Sequence, residues 1–336
     1  MRKLFTAAIA LLGTINVQAY ANEQIHIAGS STIFPFAASV AEHVGKTAGI
    51  KTPIVESTGT GGGFKLFCSS AGEDASDISN ASRPIKESEI DNCKKNGITN
   101  VAEIIIGYDG IVLASSITET RMSLTEEQIW RALAKNVFID GKIIPNPHKK
   151  WSDIAADLPA QPIRVYGPSP TSGTRDAFIE LIMDKGCAVT PEIAALQDAD
   201  EKKALCGNIR EDGAYIEAGE NDNLIVQKLV ADKQSLGIFG YSFLDENSDK
   251  VQANLIQGME PTYESISSKT YPAARSLYFY VKLNNIDRVP GIREYIEEFL
   301  SERAIGEDGY LIDKGLIPLE KSELAKIKAN AFKPIF

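Results

Sequence analysis

Residues 167–178 read GPSPTSGTRDAF, and they gather unusual chemistry at one point. Ser172, Gly173 and Thr174 stand where an apolar helical run, AFIELIM, should begin, with Arg175 one residue further in. The first N–H groups of a helix have no intrahelical partner, and the helix dipole places about half a positive charge there. A glycine lets a ligand approach the backbone, and a Ser or Thr hydroxyl adds a rotatable donor. That combination suits an anion. A guanidinium adds a planar fork that matches an oxyanion.

Two other stretches repeat the plan. Ser30, Ser31 and Thr32 follow the alternating run QIHIAG and precede FPFAASVAEHVGKT, which has helical spacing and Pro35 in its first turn. Thr58-Gly59-Thr60-Gly61-Gly62-Gly63 follows the short strand pattern TPIVES and precedes FKLF. A single turn of this kind is an ordinary N-cap. Three in one chain, one of them with an arginine, point to a shared oxyanion site. The spacing is neither G-x-x-x-x-G-K-[ST] nor G-x-G-x-x-G, which argues against a P-loop and a dinucleotide fold.

Carboxylates near such turns sort one oxyanion from another. Phosphate at neutral pH still carries one or two protons and can donate a hydrogen bond to a carboxylate, whereas sulfate cannot. Asp109 in IGYDGIVL follows a buried strand pattern and is the first candidate acceptor; before Gly110 it also suits a turn. Arg175 has an alternative use as an ion-pair partner of Asp176 or Glu180. Enzymatic signals are few. The nucleophile-elbow motif G-x-S-x-G does not occur in these turns, and a serine without a base is a poor nucleophile. The three histidines, His26, His43 and His148, are scattered, and no CxxC occurs, so neither a metal nor a cofactor is expected.

The chain has 336 residues, enough for two domains, and is 43% hydrophobic and 24% charged. Strand patterns alternate with helical ones, which indicates α/β architecture with largely parallel sheets. VAEIIIGYDGIVLASS reads as two strands with a turn at Asp109-Gly110, and SLTEEQIWRALA reads as a helix capped from Ser123. In open α/β sheets ligands bind at the carboxyl ends of strands, where all three turns fall.

The N-terminus reads as an export signal: Arg2 and Lys3, an apolar run from Leu4 to Leu12, and Ala19-Tyr20-Ala21 as the cleavage pattern. Residues 1–21 are expected to be removed. That takes away two cations and no acid, so the net charge moves from −10 to −12. Such a chain is a poor nucleic-acid binder, because duplex affinity needs many Lys and Arg contacts to phosphates. Four cysteines in an oxidising compartment suggest two disulfides. Of three pairings, Cys68–Cys93 and Cys187–Cys206 close two short loops and are expected.

The stretches AGSSTIFPFA, STGTGGGFKLF, DISNASRPI, IGYDGIVL, KKWSDI, YGPSPTSGTRDAF, DNLIVQKLV, LGIFGYSF and YPAARSLYFYVK occur in the order found in the periplasmic phosphate-binding proteins of the high-affinity phosphate ABC importer. The chain resembles that family over roughly residues 24–320. The resemblance implies a type II periplasmic-binding-protein, or venus-flytrap, fold: two α/β lobes joined by two hinge strands. Lobe I would hold residues 22–115 plus 276–336, and lobe II residues 116–275. The crossings would fall at about Ser115–Thr118 and Ala274–Leu277.

The resemblance further implies a monomeric periplasmic protein that captures inorganic phosphate without catalysis and delivers it to a membrane permease. Ser31, Thr32 and the backbone of Ile33 would supply donors from the first lobe, and Thr60 another. Ser172, Gly173 and Thr174 would close from the second lobe, with Arg175 as the charge partner. Two departures stand out. Some members carry Asp in the loop where this chain has Ser82, and some place the arginine before S-G-T, where Pro168, Ser169 and Pro170 stand here. Ser82 is kept among the expected binding residues. Asp109 is then expected to accept the ligand's proton, while Arg83 either touches the ligand or braces its loop. Other readings are a binder of sulfate or molybdate, or an exported phosphatase.

Overall fold

The structure is a computed structural model that describes residues 24–72, 74–170, 172–219 and 222–336. The expected export signal lies outside the described residues. The first third of the chain builds β1 (His26–Gly29), α1 (Phe34–Thr47), β2 (Ile54–Ser57), α2 (Gly59–Phe67), β3 (Ile78–Ala81), α3 (Glu87–Lys95) and the long β4 (Val101–Ser116). There follow β5 (Ser123–Leu124), α4 (Glu126–Leu133), the hairpin of β6 (Asn136–Ile139) and β7 (Lys142–Pro145), β8 (Val165–Gly167) and α5 (Gly173–Phe178). Beyond α5 lie β9 (Tyr215–Glu217), β10 (Leu236–Gly240), β11 (Val251–Ala253), β12 (Leu255–Ile256) and β13 (Ala274–Lys282).

Among the described residues, nine strands form one mixed sheet in the order β2-β1-β3-β13-β4-β10-β8-β9, with β11 also on β4. The outer groups are parallel: β2, β1 and β3 on one side, β10, β8 and β9 on the other. The middle is antiparallel, because β13 runs against β3 and β4, and β10 against β4. The sheet is therefore less uniformly parallel than alternating strand and helix patterns suggest.

β4 is the element that makes two lobes out of one sheet. Its residues 101–110 pair β13, and its residues 111–116 pair β10 and β11. The partner exchange falls between Gly110 and Ile111, ahead of the Ser115–Thr118 crossing expected from sequence. The return passes Ala273, whose carbonyl accepts from Ile111 N at 3.0 Å, and enters β13 at Ala274. The turn expected at Asp109-Gly110 does not form. Both residues remain extended because β13 pairs them, Arg275 opposite Asp109 and Ala274 opposite Gly110. An Asp-Gly pair favours a turn locally, but a continuous ladder on a buried strand outweighs that preference.

The helix after β5 also starts later than expected. Its cap is Thr125, whose hydroxyl accepts from Gln128 N while the Gln128 side chain accepts from Thr125 N; Ser123 lies in β5 instead. α1 buries Phe36, Ala37, Val40, Ala41 and Val44 in the main core, which runs continuously beneath both lobes. α2 approaches β1 closely. A Cβ on Gly63 would sit 2.5 Å from Gly29 Cα, so only glycine lets this helix reach β1.

Both expected disulfides are present. Cys68–Cys93 ties α2 to α3, and Cys187–Cys206 ties the helices Asp184–Ala188 and Ala199–Gly207. Their sequence separations are 25 and 19 residues. Loops of that size restrict the unfolded chain by about 3 kcal/mol each. Cys187→Ser/Cys206→Ser is expected to lower unfolding stability by about that amount in urea titrations. A loss below about 1 kcal/mol would show that this bridge contributes little.

Candidate functional site

The hydroxyl turns stand at the carboxyl ends of parallel strands. Ser30–Thr32 follows β1, Thr58–Gly61 follows β2, Ser82 follows β3, and Ser172–Thr174 opens α5 after β8. β1 and β8 belong to different lobes, so the first and last turns face each other across the exchange point in β4. They meet closely. Thr32 Oγ1 donates to Gly173 O at 3.1 Å, and Ser31 Oγ donates to Asp176 Oδ2 at 2.5 Å. A Cβ on Gly173 would fall 2.5 Å from both Thr32 N and Thr32 Cα. No side chain fits there while the lobes are in contact.

This contact divides the cleft in two. One cavity of about 740 Å³ is lined by Ser31, Thr32, Thr60 and Ser82 from lobe I and by Asp176 and Glu180 from lobe II. A second, of about 510 Å³, is lined by Ser31, Thr32, Asp109, Ser172, Gly173 and Thr174. Ser31 and Thr32 belong to both. Thr60 and Ser82 form a local pair: their hydroxyls lie 3.0 Å apart, and Ser82 N donates to Thr60 Oγ1 at 3.1 Å. Ser172 is the N-cap of α5, its hydroxyl accepting from Thr174 N at 3.2 Å.

Two expected ligand groups line neither of these cavities, although Arg175 borders an adjoining one with Asp176. Ile33 has a fully buried side chain, and its N–H already donates to Ser30 O at 3.2 Å. Arg175 is nine-tenths buried and lines neither cavity. Its guanidinium carbon lies 4.6 Å from the centre of the Tyr215 ring, and Nη1 donates to Pro168 O at 3.2 Å. Tyr215 donates to the same carbonyl at 2.8 Å. Burial pushes the Tyr215 hydroxyl up to about 12, with Arg175 pulling the other way, so the ring stays neutral at ordinary pH. Asp176 and Glu180, the acids of the alternative ion-pair use of Arg175, bond to Ser31 and Arg275 instead.

Arg275 is the cation that reaches the cleft contact, and the sequence reading missed it. It is 6% exposed and has three partners. Nε donates to Asp109 at 3.2 Å, Nη1 to Glu180 at 2.8 Å, and Nη2 to Thr32 Oγ1 at 2.8 Å. A signal was present. Arg275 and Asp109 are opposite charges set within two largely apolar strand patterns, and a buried charge needs a partner. By accepting from Arg275, the Thr32 oxygen leaves its own proton to be donated outward, to Gly173 O in this structure.

The remaining charges frame the larger cavity. Arg83 forms a two-pronged pair with Glu89, at 2.9 and 2.8 Å, and lies over the Phe64 ring. Those hydrogen bonds push its pKa up. Arg83 thus braces its loop. On the opposite wall, burial and then the nearby Glu180 carboxylate push Asp184 up.

The matched family description is the PBP superfamily domain, over residues 16–303, and the chain belongs to that family. The chain is 31% identical to protein SphX of Synechococcus elongatus over 278 residues, covering 81% of this chain and 72% of that one. It is 29% identical to the phosphate-binding protein PstS of Staphylococcus saprophyticus over 301 residues, covering 88% and 80%. Among solved structures, a possible phosphate binding protein from Planctomyces limnophilus matches with a TM-score of 0.74 at 29% identity, covering 92% of this chain and 98% of that one. The fold extends further: an ABC-type phosphate transport receptor from Vibrio cholerae matches with a TM-score of 0.61 at 18% identity, covering 88% and 100%.

Gly173→Ala tests the closed contact. The added methyl group overpacks the meeting of the lobes, so calorimetric titration with inorganic phosphate should show affinity reduced about tenfold or more, with an unchanged circular dichroism spectrum. Wild-type affinity in this variant would mean that the capture geometry does not need this approach.

Proposed function

We propose that this protein is a solute-binding protein that captures inorganic phosphate in its interlobe cleft and passes it to a membrane transporter of the ABC type. One observation carries the reading: hydroxyl-bearing turns at the ends of β1, β2, β3 and β8 converge on a single cleft beside the buried Arg275. Hydroxyls and helix-start N–H groups suit an anion, and Arg83, Lys86 and Lys203 add positive charge on the walls of the larger cavity. The names of the relatives in Staphylococcus and Planctomyces point the same way.

Capture follows from closure. Ser31 and Thr32 move with one lobe and Ser172–Thr174 with the other, so an ion between them is enclosed when the lobes come together about the crossings near Gly110 and Ala273. Gly173, Asp176 and Glu180 then re-form their contacts to the first lobe. Binding without catalysis is part of the proposal: His26, His43 and His148 line neither cavity, and the cleft hydroxyls bond to carbonyl, carboxylate and hydroxyl groups rather than to an imidazole base. Among the described residues no helix is long and apolar enough to cross a membrane, and the proposal places the protein in the periplasm after removal of residues 1–21.

A thermal-shift series separates this reading from its rivals. A ligand that binds only the folded state raises the melting temperature with its saturation. Inorganic phosphate is expected to raise it, with sulfate and molybdate at equal concentration having little effect. A larger shift with sulfate or molybdate would reassign the ion. Turnover of a chromogenic phosphomonoester, with or without divalent metal, would replace the binder with a phosphatase.

A further inference from the structure

The second cavity carries side chains that a bare ion cannot use. Phe34 and Pro35 border it from the first turn of α1, and Phe243 borders it from the helix Tyr241–Glu246, which follows β10. Phe34 is 38% exposed, although Ile33 before it and Phe36 after it are buried. Phe243 packs against the smaller core around Val112 and Phe239 and still reaches the cavity. An aromatic ring from each lobe thus meets the cleft.

The S-G-T turn faces the same space. Ser172, Gly173 and Thr174 all border this cavity, and none of them borders the larger one. The Ser172 hydroxyl accepts from Thr174 N, which leaves its own proton for an outside acceptor. Asp109, the acid on this lining, is paired with Arg275. Lys314, also on the lining, has no ion pair among the described residues. The charge here therefore favours an anion. The space is larger than an anion needs. Its volume of about 510 Å³ lies within the range of roughly 300–1,000 Å³ that holds organic ligands, which use apolar and aromatic walls with a few placed polar groups. A tetrahedral ion fills little of it and offers the rings no apolar surface.

We propose that the cleft also takes phosphoryl compounds that carry one compact organic substituent, namely phosphate monoesters and phosphonates. This deepens the oxyanion reading and rests on it. The substituent replaces one outward oxygen of the ion and lies in the second cavity against Phe34 and Phe243. The three remaining oxygens accept from the hydroxyl turns, Ser172 among them. Contact with the rings removes apolar surface from water on both sides, and an aromatic substituent adds ring-to-ring contact. Lys314 adds positive charge at the same end.

The test is calorimetric titration of wild type, Phe34→Ala and Phe243→Ala with inorganic phosphate and with phenylphosphonate, each variant first checked for a native circular dichroism spectrum. Phenylphosphonate has three phosphoryl oxygens and one ring, and its P–C bond resists hydrolysis, so binding is read without turnover. Wild type is expected to bind it within about tenfold of inorganic phosphate, or more tightly. Either substitution is expected to weaken phenylphosphonate about fivefold or more and to leave inorganic phosphate within about twofold. Two rings are tested so that one misfolded variant still leaves a result. The proposal is overturned if wild type binds inorganic phosphate but holds phenylphosphonate more than about tenfold more weakly, an outcome that leaves the oxyanion reading standing. It is equally overturned if the folded variants keep the wild-type ratio of the two affinities, since the rings would then serve packing alone. Wild type that binds neither ligand removes both readings.

Discussion

Arg275 has a single guanidinium on which three separate parts of the chain depend. It reaches Thr32 at the end of β1, Asp109 in the strand shared by both lobes, and Glu180 beyond α5, all within 3.2 Å. A buried cation is costly unless its hydrogen bonds are complete, and here the acceptors must come from both lobes. Full satisfaction of Arg275 therefore coincides with contact between the lobes. The same geometry fixes Thr32 as a donor and pairs Asp109 with a cation where it borders the second cavity. Arg275 adds charge from the hinge region, beside jaws that carry Ser and Thr hydroxyls together with Arg83, Lys86 and Lys203.

The hydroxyl-bearing turns of the jaws follow from strand ends. β1, β2, β3 and β8 each deliver a Ser- or Thr-bearing turn to the same edge of the sheet, and parallel neighbours keep those turns side by side. Glycine is required at the closest approaches, Gly63 against Gly29 and Gly173 against Thr32. An acidic chain thereby builds a cleft of hydroxyl-bearing turns fixed by its backbone, with Asp176, Glu180 and Asp184 on the facing wall.

Much of this was legible in the chain itself. The three hydroxyl turns were readable because an alternating or apolar strand pattern breaks into Ser, Thr and Gly before a helical period begins. The disulfides followed from short loops between cysteines. The long β4 was not readable, because Asp109-Gly110 carries a local turn preference that only pairing with β13 overrides. The Asp109–Arg275 pair spans 166 residues of sequence and is made by strand register, which no local pattern encodes. The placing of Arg175 was not readable for a related reason. Beside S-G-T it looks like the ligand's cation, yet a Tyr215 ring contributed by β9 draws it into packing.

Arg275 ties Thr32, Asp109 and Glu180 together at the cleft, although it was not among the residues that the hydroxyl turns single out. The most direct measurement is calorimetric titration of Arg275→Gln with inorganic phosphate, beside wild type, under conditions where both show native circular dichroism. Removing the charge leaves Asp109 and Glu180 without their partner and Thr32 without its fixed orientation. Affinity is predicted to fall at least about tenfold. Equal affinity in the two proteins would contradict the account.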